Sequence, residues 1–415
     1  MSAPNYKRTK LACYISNFTM ASVFCVPPLL FMTFRELYGL SYTLLGTLVL
    51  VNFITQLTVD LIFTAFSKHF NTKLVIRVMP LITAAGMFLY ALIPTFFPQI
   101  AYIGLLLGTV VFSVAAGLSE VLTSPTIAAI PSDNPQRDMS TLHSLYAFGT
   151  FAMIVVSAAF LKLFGTENWV YLFLLLGCLP VIAAVMFMLS PIPEMAGTEA
   201  SSCPTGGKKR RTTGLLLCLM CIFFGSCAEN TMANWISTYI ENALGISKLV
   251  GDILGTAMFA VFLGLARILY AKFGKNICRT LLASMVASVI CYLVVGISSN
   301  SVVALIACTL TGFCASMLWP GTLIMMEEKI PGAGVAAYAL MAAGGDLGAS
   351  VSPQILGIIV DNVSVTEFAA RLGNTLNISP EQVGLRIGML ATALFPLIGI
   401  VVILTAMRYF KKNPL

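Results

Sequence analysis

Two titratable side chains stand in apolar surroundings between Gly117 and Phe151, in the stretch GLSEVLTSPTIAAIPSDNPQRDMSTLHSLYAFGTF. Glu120 lies deep in one apolar run and His143 early in the next, with a short polar turn, Ser132 to Asp138, between them. A carboxylate and an imidazole in such a setting can take up and release protons. Gly117, Glu120 and Ser124 fall at i, i+3 and i+7, on one helix face. At the helical rise per residue, Glu120 is about 15 Å from the polar turn and His143 about 6 Å. That difference argues against direct contact between them. It brings Tyr146 and Thr150, on His143's face, to the level of Glu120. His143 is then either a proton acceptor or ligand hydrogen-bonding group, or a histidine packed against a backbone carbonyl.

Other apolar runs carry polar side chains at helical spacing. Asn52, Gln56, Asp60 and Thr64 form one stripe. Asn230, Asn234, Ser237 and Glu241 form a second, with Glu229 and Trp235 beside it. Tyr338, Asp346, Ser350 and Gln354 form a third. Amides donate and accept at once, which suits a hydroxyl-rich ligand; the bland alternative is bonding between helices. Trp319, just before Pro320, offers an indole face for a sugar ring, or simply packs. Asp60 and Arg267 read as gate or packing charges, Asp346 as ligand contact or gate, and Asp252 as too near the end of its run to count.

No His-Glu-x-x-His motif is present, and Ala343 to Asp346 lacks the glycine spacing of an intramembrane aspartyl protease. No enzyme activity is expected. Only two His exist, and no Cys pair has metal-site spacing with them, so neither metal nor cofactor is expected. The 11 Cys read as small buried hydrophobes.

The surroundings of these residues follow from composition. Hydrophobic residues make up 58% and charged residues 10%, against about 25% charged in soluble domains. The apolar runs are long enough for membrane helices of about 20 residues and lack the alternation of barrel strands. Twelve spans are expected, at 11–34, 42–66, 74–96, 100–130, 139–164, 168–189, 213–240, 249–273, 279–298, 302–326, 333–360 and 387–408. The basic start, MSAPNYKRTK, precedes a run long enough to span, so no cleavable signal peptide is expected.

Of the 24 Lys and Arg, 18 fall in the terminal segments and alternate loops on one side, 5 on the other, and Arg267 lies within a span. The positive-inside rule then puts both termini in the cytoplasm. The same placement, in short loops between spans, explains the net charge of +7 without a nucleic-acid partner. Asn377-Ile378-Ser379-Pro380, in a polar outer segment, has the form of a glycosylation sequon weakened by its proline.

Residues 190–212, with Pro, Gly, Ser and Lys-Lys-Arg-Arg, form the one linker, between bundles at 1–189 and 213–415. The halves repeat. At an offset of 195, Gly117, Pro125, Leu145, Ala147 and Gly149 meet Gly312, Pro320, Leu340, Ala342 and Gly344. At 206, Gly39 and Ser41 meet Gly245 and Ser247. Glu120 and His143 meet Ala315 and Tyr338, so the backbone features recur and the ionisable groups do not.

Six spans, a central basic loop, six spans and a parallel repeat resemble the architecture of major facilitator transporters: an all-α membrane protein of twelve transmembrane helices in two six-helix bundles with pseudo-two-fold symmetry. Within that superfamily, Gly117 to Pro125 and Leu145 to Gly149 resemble the fourth- and fifth-helix segments of the fucose permease group of sugar:proton symporters. The resemblance implies that Glu120 occupies the place of a proton-coupling carboxylate, and His143 and Tyr146 the places of polar residues lining the sugar cavity. Two features depart from that group: Ser124 replaces an Asn before the proline, and the first span lacks an acid.

The expected function is secondary active transport by alternating access. The solute would be small and polar, a monosaccharide, moved with protons, and the protein a monomer in a bacterial cytoplasmic membrane. Glu120 and His143 are assigned to proton coupling. Tyr146, Thr150, Asn52, Gln56, Glu229, Asn230, Asn234, Trp319, Tyr338 and Asp346 are assigned to the substrate. The alternative is a drug/proton antiporter of the same fold, against which the Asn, Gln and Ser content of the second, seventh and eleventh spans argues.

Overall fold

The computed structural model describes residues 5–66, 69–194, 208–330 and 335–413. Ten helical stretches are long and apolar enough to cross a bilayer: Lys7–Leu29, Tyr42–Phe63, Thr72–Phe96, Pro98–Ala129, Thr166–Met188, Arg210–Ala243, Lys248–Phe273, Ile277–Ile297, Ser301–Lys329 and Pro380–Lys412. Helices Pro135–Phe164 and Val335–Ser364 stand at the fifth and eleventh positions, completing the twelve-span layout.

Caps explain where the ends differ from expectation. The twelfth span starts at Pro380, seven residues early, because Ser379 and Gln382 form a reciprocal capping box. The preceding helix, Glu367–Leu376, ends on Asn377 at φ +54°, in the left-handed region. The sequon-like residues therefore serve as helix punctuation. Earlier in the same half, the tenth span is interrupted: one helix ends at Ala315 and the next begins at Pro320.

The chain forms two compact units, Met1–Leu40 with Val51–Thr198, and Ser41–Leu50 with Glu199–Leu415. The internal repeat has a structural counterpart in each. Gly39 (φ +64°) and Gly245 (φ +65°) both make the left-handed turn that leads into the second and eighth spans. A Cβ on Gly117 would come within 2.8 Å of Asp60 in the second span; one on Gly312 would collide with the Phe259 carbonyl in the eighth. In both units, then, the repeated glycine lets the fourth or tenth span pack tightly on the second or eighth, as small residues do between membrane helices.

The first unit is centred on fully buried aromatics. Phe34 meets Trp169 edge-on at 5.0 Å, and Tyr90 stacks on Phe173 at 4.7 Å. At its basic end Lys10 forms an ion pair with Asp138, and the Thr9 hydroxyl donates to the Pro191 carbonyl at 2.7 Å. Hydrogen bonds from Lys10 and then Ser132 hold the Asp138 carboxyl, which precedes the apolar part of its helix, below the usual carboxylate range.

The second unit has a core rich in sulfur side chains, including Cys218, Cys221, Met285, Met325, Met326 and Met341. Soft, flexible side chains of this kind fill irregular gaps between helices. The first residues of the second span belong here. Tyr42 and Thr43 donate their backbone N–H groups to the two carboxylate oxygens of Asp361, at 3.0 and 2.6 Å. The Asn242 amide donates to the Tyr42 hydroxyl at 2.8 Å, and Trp235 lies 5.7 Å from the Tyr42 ring. Asp361 thus caps a helix 319 residues away in sequence.

Two outcomes follow. Asp361→Ala removes a two-point N-cap and should destabilise the purified protein by about 1–2 kcal/mol, with Asp361→Asn intermediate, as read by thermal unfolding. Because the folded Asp138 carboxyl is depressed, its contribution is present above the ordinary value near 4 and is lost as pH falls through the folded one. The gap in melting temperature between wild type and Asp138→Asn should hold from about pH 8 to pH 5 and close below about pH 4. A gap that instead closes near neutral pH would rule out this pair as its source.

Candidate functional site

In the first unit the fourth span sets its acid beside another. Gly117 packs against the Asp60 carboxylate, the Gln56 carbonyl and Val59. Glu120 lies one turn further along the same helix. Asp60 and Glu120 are close enough to interact electrostatically. Glu120 is exposed on its unit, and the Asp60 Oδ1 is buried without a hydrogen-bond partner among the described residues. Asp60, read as a gate charge, therefore belongs with Glu120 as a pair of acids.

Asn52 and Gln56 occupy a different environment. They are 7% and 3% exposed, the Gln56 amide donates to Asn52 Oδ1 at 2.8 Å, and the Ser113 hydroxyl donates to the same oxygen at 2.8 Å. This network ties the second span to the fourth, so these two amides face the packed interior of the unit. Tyr146 is 37% exposed and meets Phe24 edge-on at 6.1 Å. The Thr150 hydroxyl donates to the Tyr146 carbonyl, and the Cys25 thiol approaches the Thr150 carbonyl. The side chains of His143 and Thr64 lie outside the described residues.

In the second unit Glu229 and Arg267 come together. Arg267 Nη2 lies 3.7 Å from Glu229 Oε1, and Arg267 Nε donates to the Ser316 carbonyl at 3.0 Å. Asn230 and Asn234 turn back on their own helix, donating to the carbonyls of Ser226 and Asn230 at 3.2 and 2.8 Å. Trp319 packs its ring over Gly345 so closely that a Cβ there would collide with it. Asp346, the next residue, is 8% exposed. Tyr338 is exposed and interacts with Glu327, near the end of the tenth span and away from Trp319's helix break.

The second unit holds one further centre, outside the residues assigned from sequence. Asp252 is fully buried: the Ser237 hydroxyl donates to it at 2.5 Å, and Lys248 lies 3.3 Å from it and 3.5 Å from Glu241. The signal was there, since Ser237/Glu241 and Lys248/Asp252 are both i, i+4 pairs. Distance from the end of the run was a poor guide to burial because helical turns widen at Tyr239–Ala243 and Gly251–Ala257 and fold these side chains inward. Among the described residues no group of three or more His, Cys, Asp or Glu could hold a metal ion.

Residues 12–353 match the Major Facilitator Superfamily model. The chain belongs to that superfamily. No curated protein matches it. Among solved structures, it is similar to an inward-facing bacterial homologue of the human lysosomal transporter Spinster (TM-score 0.77, 13% identity, covering 99% of this chain and 98% of that one). It is also similar to the nucleoside transporter NupG (0.67, 14%, covering 97% and 98%) and to a D-xylose-proton symporter (0.72, 14%, covering 94% and 96%). At these identities the likeness is one of fold. The chain is thus a multi-pass membrane transporter of the major facilitator type, and the repeat read from the sequence is that fold's duplication.

Removing the Asp252 carboxylate leaves Ser237 without its acceptor and Lys248 with Glu241 as its remaining acid. Asp252→Ala should destabilise by about 1–3 kcal/mol, and adding Lys248→Met should destabilise further, because it takes the cation from Glu241. Thermal unfolding checks this; a double variant more stable than Asp252→Ala would rule out the three-charge arrangement as the source of the cost.

Proposed function

We propose that this transporter is a proton-coupled importer of a small polar solute, a monosaccharide, related to the fucose permease group. The juxtaposition of Asp60 and Glu120 across the second and fourth spans carries the reading. Two acids this close titrate as a pair, so the pair can take up and give back one proton per cycle. Glu120, the exposed partner, exchanges the proton, and Asp60 tunes it. His143, one helix on, passes the proton toward the basic end.

The sugar reading rests on complementary chemistry. Tyr146 offers an aromatic face with a hydroxyl, Trp319 an indole, and Glu229, Asn230, Asn234 and Asp346 polar groups able to meet ring hydroxyls. The D-xylose-proton symporter among the fold relatives is compatible with it. The basic end of each unit is assigned to the cytoplasm, with both termini there, in a bacterial cytoplasmic membrane. Residues 1–189 and 213–415 act as the two rocking bundles of a monomer, joined by 190–212.

A thermal-shift screen against sugars, polyols, nucleosides and amino acids at two pH values identifies the solute; the expected hit is a monosaccharide whose affinity depends on pH. In proteoliposomes with a proton gradient, Glu120→Gln should abolish accumulation above equilibrium while leaving counterflow exchange within about threefold of wild type, since exchange needs no net proton movement. Undiminished uphill uptake by Glu120→Gln would sink the coupling role.

A further inference from the structure

Proline at position 320 has no N–H. In a continuous helix that N–H would bond the carbonyl four residues back, at Ser316, and the proline ring also crowds that carbonyl. The neighbouring bond is intact: Gly321 donates to the Met317 carbonyl at 2.8 Å. The acceptor that the proline itself leaves without an N–H is the Ser316 carbonyl, and the eighth span supplies its donor, Arg267 Nε at 3.0 Å. A freed carbonyl in a bilayer must find a partner within the protein.

The guanidinium is planar, so fixing Nε on a main-chain oxygen fixes the direction of its outer nitrogens. These face Glu229, whose nearer oxygen is 3.7 Å away, beyond hydrogen-bond range, and whose Oε2 is buried without a partner among the described residues. The break that Arg267 holds contains Trp319, and the Trp319 ring lies over Gly345, next to Asp346.

We infer that Arg267 is a positioning residue: it substitutes for the missing Pro320 N–H, holds the break in the tenth span and so sets the indole of Trp319, with Glu229 orienting the guanidinium. The inference rests, for its functional consequence, on Trp319 meeting the solute. Arg267 and Glu229 then form more than a gate. A ligand hydroxyl or a proton arriving at Glu229 changes the hold on Arg267, and through the Ser316 carbonyl changes the break that carries Trp319.

The test restores the missing donor. Pro320→Ala returns an N–H to the Ser316 carbonyl, making Arg267 redundant there. Amide hydrogen exchange is measured across 316–323 in wild type, Arg267→Ala, Pro320→Ala and the double variant. Loss of a charged hydrogen bond should speed exchange in Arg267→Ala about tenfold, but less than about twofold when Pro320→Ala is already present. Equal acceleration in both backgrounds overturns the inference. Should Arg267→Ala fail to fold, Arg267→Lys, which keeps the charge but loses the planar fork, runs the same cycle with the same criterion.

A ligand arm separates this role from the transport reading. With the monosaccharide found by thermal shift, Arg267→Ala and Trp319→Ala should weaken binding by similar factors, and the double variant no further. Independent, multiplying losses overturn positioning through Trp319. The exchange cycle needs no solute, so its failure counts against Arg267 alone. Unchanged affinity in Trp319→Ala counts against the sugar-stacking reading alone.

Discussion

Within a bilayer a polar group without a partner has no water to turn to, and leaving it bare costs several kcal/mol. Much of this structure is an answer to that constraint. Polar side chains reach across to carbonyls on neighbouring helices. Asn17 donates to Leu142, Trp235 to Pro353, Tyr239 to Val295 and Tyr292 to Ala228, at 2.6–3.0 Å. Each contact satisfies a polar head and fixes one helix against another, which apolar packing in lipid does weakly on its own. Arg267 on Ser316 is the charged member of this set.

Buried charge is handled differently in the two units. In the second, Glu229 faces Arg267, and Lys248 lies between Asp252 and Glu241. Each of these three acids has a cation within reach, which limits the desolvation cost of both. In the first unit, Asp60 and Glu120 adjoin one another, and neither has an ion-pair partner among the described residues. An unpaired acid within a membrane is expensive and is kept where it does work. Duplication supplied the same backbone twice, and the ionisable groups diverged on it.

The fold was legible because its rules are local. Span length and repeated glycines are short-range signals, and the glycine pairs at offsets of 195 and 206 proved to mark equivalent close packings and turns. The site was legible in its members but not in their partnerships. Spacing placed Asn52 and Gln56 on one face, but not whether that face met solvent or Ser113. It placed Glu229 and Arg267 in different spans without pairing them. Asp361 gave no signal at all: a helix cap is readable when it lies next to the helix, and this one arrives from the far end of the chain. Asp252 was misjudged because counting from the end of a run assumes a regular helix, and the widened turns at 239–243 and 251–257 break that assumption.

Pro125 and Pro320 show how far a duplicated feature can diverge while keeping its letter. Both sit at the same place in the repeat. Pro125 lies inside an unbroken helix, Ala101–Ala129, whereas Pro320 begins a new one after a break at 316–319. A proline alone therefore does not decide whether a span is interrupted. Beside Pro125, the Thr126 hydroxyl bonds the Leu122 carbonyl of its own helix at 2.7 Å, keeping local polar groups within the helix. Beside Pro320, the donor to the freed carbonyl comes from another helix. The same ring leaves one span unbroken and stands at the interruption of the other. Arg267, which has no counterpart in the first half at either offset, makes the second outcome the stable one.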